Sequence, residues 1–400
     1  MQSRATSLTL VALASVAPTL TAQTPQPIGR PAAEFAEPFT RISGMRELAD
    51  GRVIVSDQRE KLVQLVDLRT GAAQSIGREG QGPGEYALPT GLLAQPNNQT
   101  LLVDLLNSRY LRIGPDGKPG ETVSPPDLSA TSPAGGAMRI GGLVNPRGVD
   151  NQGRLYFQDI GIRPGGESPD TVAVLRWTVG SSRVDTVGWV QGPRTTVTST
   201  GGGGGGQGMR MTVGMPTVWA PAEQWAVAGN GRIARVTPEP YRVIWYDANR
   251  RATAGPTVPY TPRRITEADK AEYREAQRAN PPTMIMRTVG GGGAGVTTST
   301  PPASAMPEPT FAETMPAFTG GNSVLATPDG EVWVLRTRAA GDKIPVYDVF
   351  NSAGRLVRKV SLAARSRVVG FGATSVYVAR MDEDDLEYLQ RYSRPAVGEP

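Results

Sequence analysis

The chain has 400 residues, including 48 glycines and 35 prolines, with 38% hydrophobic residues and a formal net charge of +5. This composition suits one large or two ordinary domains with many turns, and so small a charge without a clustered basic face predicts no nucleic-acid partner. It has neither cysteine nor histidine, which excludes disulfides, lipid-anchored lipoproteins, His-based triads and zinc sites with His or Cys ligands.

The first 22 residues have the pattern of a secretion signal. Arg4 provides the positive start, an apolar stretch runs from Leu8 to Ala17, and Ala22 is a small residue suited to the cleavage site. The stretch is shorter than the roughly 20 residues that span a bilayer. We therefore expect a signal peptide at 1–22, export to the periplasm or the extracellular medium, and no membrane insertion after cleavage. Residues 23–34 are predicted to be a flexible segment and 395–400 a tail.

A tight turn followed by an alternating apolar strand recurs along the rest of the chain. The copies are Leu48–Asp57, Pro96–Leu105, Asp150–Asp159, Ala228–Thr237, Thr327–Arg336 and a degenerate Gly372–Met381. Asp-Gly and Asn-Gly between apolar runs are strong hairpin signals because these residues tolerate positive φ. A second hairpin follows each copy, and the undisturbed spacing of about 45 residues is typical of a propeller blade.

This repeat predicts an all-β fold, a six-bladed β-propeller of four-stranded antiparallel blades over residues 35–394. The strands of a blade are called A to D here. The last unit has only three strands, and the segment Phe35–Thr40 is expected to supply its outer strand and close the ring. A β-sandwich is the main alternative, but sandwiches do not repeat a four-stranded unit six times. The six tryptophans fall mostly in strands and are predicted to pack in the core or between blades.

The stretch Ile76-Gly-Arg-Glu-Gly-Gln-Gly-Pro-Gly-Glu-Tyr86 follows the first unit. With the repeat, it resembles the bacterial exported six-bladed β-propeller family related to NHL-repeat propellers. That resemblance covers roughly residues 40–394 apart from the low-complexity inserts. It implies the fold and export, and little about activity.

Four insertions interrupt the repeat, and all are predicted at B–C or D–A positions. They are approximately Ser124–Gly142, Gly161–Asp170, Gln191–Ala222 and Tyr260–Gly320. In an antiparallel meander these connections share one face of the molecule, named the insert face here, and the A–B and C–D turns share the other. Insertions concentrated on one face usually mark the binding face. Two low-complexity parts, about 191–218 and 280–317, are predicted to be disordered.

Between the two low-complexity parts, residues 266–279 are predicted to form a helix. Thr266 is a suitable N-cap, Glu267 and Asp269 suit the positive helix start, and Pro281-Pro282 ends it. A surface helix leaning on the insert face is favoured over a lid that contacts ligand.

Five arginines are predicted to lie at the ends of inner strands or nearby on the insert face, and they are the candidate ligand-binding residues. They are Arg59, Arg109, Arg147, Arg336 and Arg338. Arginine pairs well with carboxylates, phosphates and sugar acids. Singly, each arginine is more often a rim charge or part of an ion pair between blades. Together they suggest an anionic ligand at the channel mouth.

Two functions are compatible with these patterns. The favoured one is a non-catalytic exported binding or scaffold protein, without cofactor, that engages a peptide, glycan or protein through the insert face. The alternative is an enzyme of the calcium-dependent lactonase or lyase type, with Asn145, Glu223 and Asn322 as candidate metal ligands near the starts of inner strands. The absence of histidine counts against the familiar forms of such enzymes.

Overall fold

The structure is a computed structural model that describes residues 23–126, 145–159, 171–192, 217–279 and 308–394. Only backbone strands are described at 138–139, 161–162, 197–200, 210–213, 284–290 and 293–299. The predicted signal peptide and the tail lie outside the described residues, as does much of the two inserts predicted to be disordered. Within those inserts, the strands Val197–Thr200 and Arg210–Val213 pair with each other, and so do Met284–Gly290 and Gly293–Ser299.

Six sheets built on four antiparallel strands follow one another along the chain, and the sheet of blade 5 has a fifth, parallel strand, so the predicted six-bladed β-propeller is confirmed. Strands A to D of blade 1 are Ile42–Glu47, Val53–Asp57, Leu62–Asp67 and Ala72–Ser75. Those of blade 2 are Pro89–Ala94, Thr100–Asp104, Arg109–Ile113 and Pro119–Val123. Those of blade 3 are Gly148–Val149, Leu155–Gln158, Thr171–Trp177 and Val184–Gln191. Those of blade 4 are Gln224–Val227, Ile233–Pro238, Tyr241–Tyr246 and Ala252–Ala254. Those of blade 5 are Val324–Ala326, Val332–Leu335, Val346–Phe350 and Leu356–Ser361. Those of blade 6 are Ser366–Phe371, Ser375–Met381, Glu387–Ser393 and Ala33–Glu34.

A few elements lie outside the blades. They are helix α1 (Glu267–Ala279), the 3-10 turn Pro96–Asn98, and the short paired strands Gln26–Pro27, Arg78–Glu79, Glu85–Tyr86, Arg263–Arg264 and Thr314–Met315. In the part of the chain that is described, no helix has the length and apolar character needed to cross a membrane.

The A–B turns are tight because their residues adopt conformations that most side chains avoid. Gly51 and Gly330 have φ values of 84° and 97°, in the left-handed region that favours glycine. Asp50 adds a side-chain hydrogen bond to the backbone N–H of Arg52 (3.0 Å). These turns keep the A–B side of the propeller short.

Buried apolar clusters fill the interfaces between neighbouring blades throughout the described ring. Trp245 and Phe350 pack between blades 4 and 5, and Trp333 and Val376 pack between blades 5 and 6. The predicted packing is confirmed for four tryptophans that are at most 2% exposed: Trp177, Trp225, Trp245 and Trp333. Trp189, by contrast, is 54% exposed on strand D of blade 3. Blade-on-blade burial is the main apolar contribution to stability.

The ring closes by pairing the two ends of the described chain. Ala33–Glu34 pairs with strand C of blade 6, and hydrogen bonding continues through the N–H groups of Phe35 and Phe39. The closing strand thus begins before the predicted Phe35–Thr40. Gln26–Pro27 also pairs, in parallel, with strand D of blade 5. Residues 23–34, predicted to be flexible, therefore supply two short strands, because the outer edges of blades 5 and 6 offer unpaired backbone groups.

The strand order places all four insertions at B–C or D–A connections, as predicted. In each meander, strand A starts and strand B ends at the same edge, so these connections share one face. The insertion at 161–170 joins strands B and C of blade 3, and the other three join successive blades. The four insertions therefore all leave and rejoin the blades on the insert face.

Candidate functional site

Two insertions from different blade connections combine into one module on the insert face. Residues 217–220 precede blade 4, and residues 259–279 and 308–319 precede blade 5. The N–H of Val218 donates to the carbonyl of Thr310 (2.7 Å), and the N–H of Ala312 donates to that of Val218 (3.0 Å). Arg263–Arg264 pairs with Thr314–Met315. The two segments form one backbone network, which we call the insert module.

Helix α1 is the central element of the insert module, and its predicted start is confirmed. Thr266 caps it: its Oγ1 accepts from the N–H of Asp269 (3.3 Å), and the Asp269 carboxylate accepts from the Thr266 N–H (2.8 Å). Arg263 donates two hydrogen bonds to Asp269, at 2.7 and 2.8 Å. Asp269 is 3% exposed. This reciprocal capping by a buried carboxylate fixes the first turn of the helix.

The same carboxylate ties α1 to the B–C loop of blade 5, residues 336–345. Asp269 Oδ1 accepts from the N–H of Ala340 (2.8 Å), and Glu272 accepts from the N–H of Gly341 (2.8 Å). Arg263 also donates to the carbonyl of Arg338 (2.9 Å). The helix is therefore held against blade 5 rather than projecting from it.

These contacts give the docked helix a defined dependence on pH. Hydrogen bonds from Arg263, then from Thr266 and Ala340, hold the pKa of Asp269 well below its ordinary value. A depressed folded pKa adds stability that is present above the unfolded pKa of about 3.9 and is lost as pH falls through the folded value. We expect α1 to stay docked from pH 7 to pH 4 and to be released only in stronger acid. Trp219 fluorescence, compared with Asp269→Asn, measures this; release above pH 4 would contradict it.

Three aromatic rings form the core of the insert module. Trp219, Tyr273 and Phe311 lie with ring centroids 5.4 to 5.6 Å apart in tilted and edge-to-face contacts. Lys270 and Arg274 lie over the Phe311 ring, at 5.9 and 5.3 Å from its centroid. Trp219 and Tyr273 remain partly exposed. The module therefore presents aromatic surface to the solvent.

A pocket of about 250 Å³ lies between α1 and the B–C loop of blade 5. Its lining combines aromatic rings, carboxylates and guanidinium groups: Trp219, Asp269, Glu272, Tyr273, Ala276, Met315, Thr319, Leu335, Arg336, Thr337, Arg338, Ala339 and Ala340. Asp269 and Glu272 each accept a hydrogen bond from the blade 5 loop, whereas Arg338 is exposed at the pocket edge. We call this the insert-face pocket.

Two of the five predicted arginines come together in this pocket. Arg336 forms a salt bridge with the buried Asp348 (2.7 Å) and lies over the Tyr241 and Tyr260 rings at 5.2 and 4.8 Å. Arg338 donates to the carbonyl of Asp342 (2.7 Å) and stays exposed. Arg336 is thus held in place by its own blade and by blade 4, and Arg338 is the accessible charge.

Arg59 and Arg109 lie in another sector, at the B–C turns of blades 1 and 2. Arg59 is exposed, and its backbone N–H donates to Asp57 (2.9 Å). Arg109 pairs with Asp104 (3.2 Å) and donates to three carbonyl oxygens of the connector at 77–86. Its donors therefore hold the connector that carries the glycine-rich motif.

Arg147 lies at the start of the inner strand of blade 3 and reaches two further blades. It donates to Gln158 (2.6 Å) in its own blade, to Gln224 (3.1 Å) in blade 4 and to the carbonyl of Gly321 before blade 5. Its guanidinium lies 5.2 Å from the ring centroid of Trp225. Burial lowers the pKa of Arg147 to about 10, which leaves it charged at neutral pH.

The three candidate metal ligands lie at the starts of inner strands, as predicted. Asn145 and Asn322 are exposed. Glu223 accepts from the N–H of Gln191 (2.8 Å) and lies 3.5 Å from Arg235. Over the described ranges, no group of three or more Asp or Glu side chains is close enough to hold a metal ion.

A second cavity, of about 540 Å³, lies on the propeller axis. Its lining comes from the inner strands and A–B turns of all six blades, with Arg147 at the end nearest the insert face. The A–B end is ringed by the exposed Ala49, Asn151, Pro328 and Ala373. We call this the axial cavity. It reaches solvent on the face opposite the insert-face pocket.

Trp219, Tyr273 and Phe311 were not predicted from the sequence to be a functional group. Tyr273 was assigned to a weakly amphipathic surface helix, and Trp219 to packing among strands. The available signal was the presence of large aromatic residues within or next to low-complexity inserts, where composition gives no packing reason for them.

No protein-family model and no curated protein matches this chain. Solved structures of similar shape include a member of the DUF4221 family from Bacteroides vulgatus, with a TM-score of 0.47, 8% identity, and coverage of 90% of this chain and 95% of that one. Regucalcin, a calcium-binding protein from Agrobacterium tumefaciens, has a TM-score of 0.40, 10% identity, and coverage of 91% and 96%. A gluconolactonase from Xanthomonas campestris has a TM-score of 0.40, 8% identity, and coverage of 92% and 99%. By its own sheet order, the present chain is a six-bladed β-propeller.

Proposed function

We propose that this protein is an exported, non-catalytic binding propeller that captures a peptide segment of a partner protein in the insert-face pocket. The observation that carries the proposal is the joining of two separate insertions around Trp219. They build a pocket with aromatic walls and an accessible guanidinium on the face from which all four insertions leave the blades.

The composition of the pocket suits a protein ligand. Tryptophan, tyrosine and arginine are the residues enriched at the energetic centres of protein interfaces. Trp219 and Tyr273 offer apolar area to a side chain, and Arg338 offers an exposed partner for a carboxylate. Ile344, on the same B–C loop, is a 44% exposed apolar residue. A volume of about 250 Å³ admits one side chain rather than a folded domain.

These features define the peptide class. The segment should carry an apolar or aromatic side chain that enters the pocket, with an aspartate or glutamate within a few residues to pair with Arg338. Hydrogen bonds from the blade 5 loop to Asp269 and Glu272 hold α1 at one side of the pocket, which lowers the entropic cost of binding.

Selection of a random peptide library on the mature chain, residues 23–400, tests this proposal. We expect enriched peptides that combine an acidic residue with an aromatic or aliphatic one. Trp219→Ala and Arg338→Glu should each weaken their binding at least about tenfold, the usual cost of losing an interface anchor. Fluorescence anisotropy of one labelled peptide gives the Kd values.

Two matched variants control for general effects. Trp189→Ala removes the other tryptophan that lies outside the core, and Arg69→Glu reverses an 84% exposed charge in the C–D turn of blade 1. Both should bind like the parent chain. Peptides that bind the Trp219 and Arg338 variants as tightly as the parent, or a glycan array that gives hits where peptides give none, would contradict the proposal.

A further inference from the structure

The axial cavity is a second concave site, separate from the insert-face pocket. Its walls include the partly exposed apolar side chains of Leu92, Val149, Leu325 and Phe371. They come from the inner strands of four blades. A volume of about 540 Å³ lies within the range of sites that bury small organic ligands.

Arg46, near the end of the inner strand of blade 1, brings a charge into this cavity. Its NH2 group donates to Asn98 Oδ1 at 3.3 Å, and its Nε is buried without a hydrogen-bond partner. Burial lowers the pKa of Arg46. Across the described ranges, no carboxylate lies within ion-pair distance of it. Burying a guanidinium that has only one neutral acceptor costs free energy, and an anion bound next to it would offset that cost.

The carboxylates in the cavity lining are already engaged elsewhere. Glu47, the next residue, accepts from the Tyr377 hydroxyl (2.6 Å) and from the N–H of Ala373 (3.1 Å). Asp150 pairs with Arg154 (2.6 Å) and accepts from the Tyr156 hydroxyl (2.9 Å). Asp150 is thus neutralised by Arg154, whereas Glu47 is held by neutral donors and its negative charge acts on the neighbouring Arg46.

Arg147, at the inner end of the cavity, is likewise bound only to neutral groups among the described residues. Its partners are two glutamine side chains, one carbonyl and the Trp225 ring. The cavity therefore has apolar walls and guanidinium groups that retain their full charge. Arg46 and Arg147 contribute two positive charges to the lining and Glu47 one negative charge, while Asp150 is paired with Arg154, so an excess of one positive charge favours an anion.

We propose that the axial cavity binds a small carboxylic acid with an apolar body, whose carboxylate pairs with Arg46 while the body lies along the inner strands. The geometry supports this class because a carboxylate can pair with a guanidinium whose NH2 group has only the neutral Asn98 Oδ1 as acceptor. The apolar body replaces water against the four apolar side chains of the wall. This site is independent of the peptide pocket on the insert face.

Calorimetric titration of the mature chain with octanoate tests the proposal, with octanol as the neutral probe of equal length. We expect one octanoate per chain. Octanol should bind at least about tenfold more weakly than octanoate, because it lacks the charge that pairs with arginine. Arg46→Gln should lower octanoate affinity about tenfold and leave octanol affinity unchanged. Arg69→Gln, on the same face of the same blade but outside the cavity, should bind octanoate like the parent chain.

Two further variants test whether octanoate binds in the axial cavity and not elsewhere. Leu325→Trp fills the cavity and should abolish the binding of both probes, which decides the matter if Arg46→Gln fails to fold. Trp219→Ala should leave octanoate binding intact, which separates this site from the insert-face pocket. Absence of octanoate binding, equal binding of octanol, or unchanged octanoate binding in either Arg46→Gln or Leu325→Trp would overturn the proposal.

Discussion

Glu387→Ala is expected to lower the free energy of unfolding by about 3 kcal/mol, the lower end of the range for a buried ion pair that loses one partner. The Glu387 side chain is 1% exposed on strand C of blade 6. It accepts from the backbone N–H of Ile42 (2.7 Å) and pairs with Arg41 (3.0 Å) and Arg367 (2.7 Å). Ile42 and Arg41 belong to blade 1 or its approach, so this one carboxylate joins the last blade to the first. The lower end applies because both arginines are about a third or more exposed.

Urea unfolding followed by tryptophan fluorescence measures this effect as a shift of the midpoint. Glu387→Gln keeps an acceptor for Ile42 but removes the charge, so it should fall between the parent chain and Glu387→Ala. Glu383→Ala, an exposed acidic residue in the preceding B–C turn, is the matched control and should change stability by less than about 0.5 kcal/mol. A Glu387→Ala midpoint equal to that of the control would show that the ring closes without this contact.

Asp269→Ala is expected to release α1 and abolish peptide binding while the six blades stay folded. The substitution removes the partner of Arg263, the reciprocal cap on Thr266 and the acceptor for Ala340 together. The local loss is about 3 kcal/mol, because a buried, charged acceptor with several donors is deleted. Since the helix contributes one side of the insert-face pocket, the pocket should open with it.

Hydrogen exchange over residues 267–279 reports this release directly, as faster exchange in the helix with unchanged rates in the inner strands. Glu275→Ala, on the exposed side of the same helix, is the control and should keep both protection and peptide affinity. If Asp269→Ala unfolded the blades as well, the insert module would be part of the core rather than an addition to it.

The propeller was predictable because its signals are local and repeated. The Asp50-Gly51 and Asp329-Gly330 turns each predict a hairpin from fewer than ten residues of sequence, and six copies of this pattern are compatible with few folds. The start of α1 was predictable for the same reason, since Thr266 and Asp269 lie within one helical turn of each other.

The insert module was not predictable because its contacts join distant, non-repeated segments. Nothing near Val218 indicates that it pairs with Thr310, and no periodicity relates Trp219 to Phe311. The arginines show the same limit. Arg109 has the residue type and position of a ligand contact, but its partners are carbonyls of a connector more than twenty residues earlier. The residue type predicts a positive charge at position 109, but only the fold shows which groups accept its hydrogen bonds.

The closing contact of the ring has a consequence for how the molecule is made. Glu34 and Gln390, which contact each other across the seam, are 356 residues apart. The outer strand of blade 6 is synthesised first and the other three strands of that blade last. That sheet is therefore the final unit to form. Until then, the segment Ala33–Glu34 and strand C of blade 6 each lack their pairing partner, and an unpaired strand edge of this kind favours strand exchange between copies.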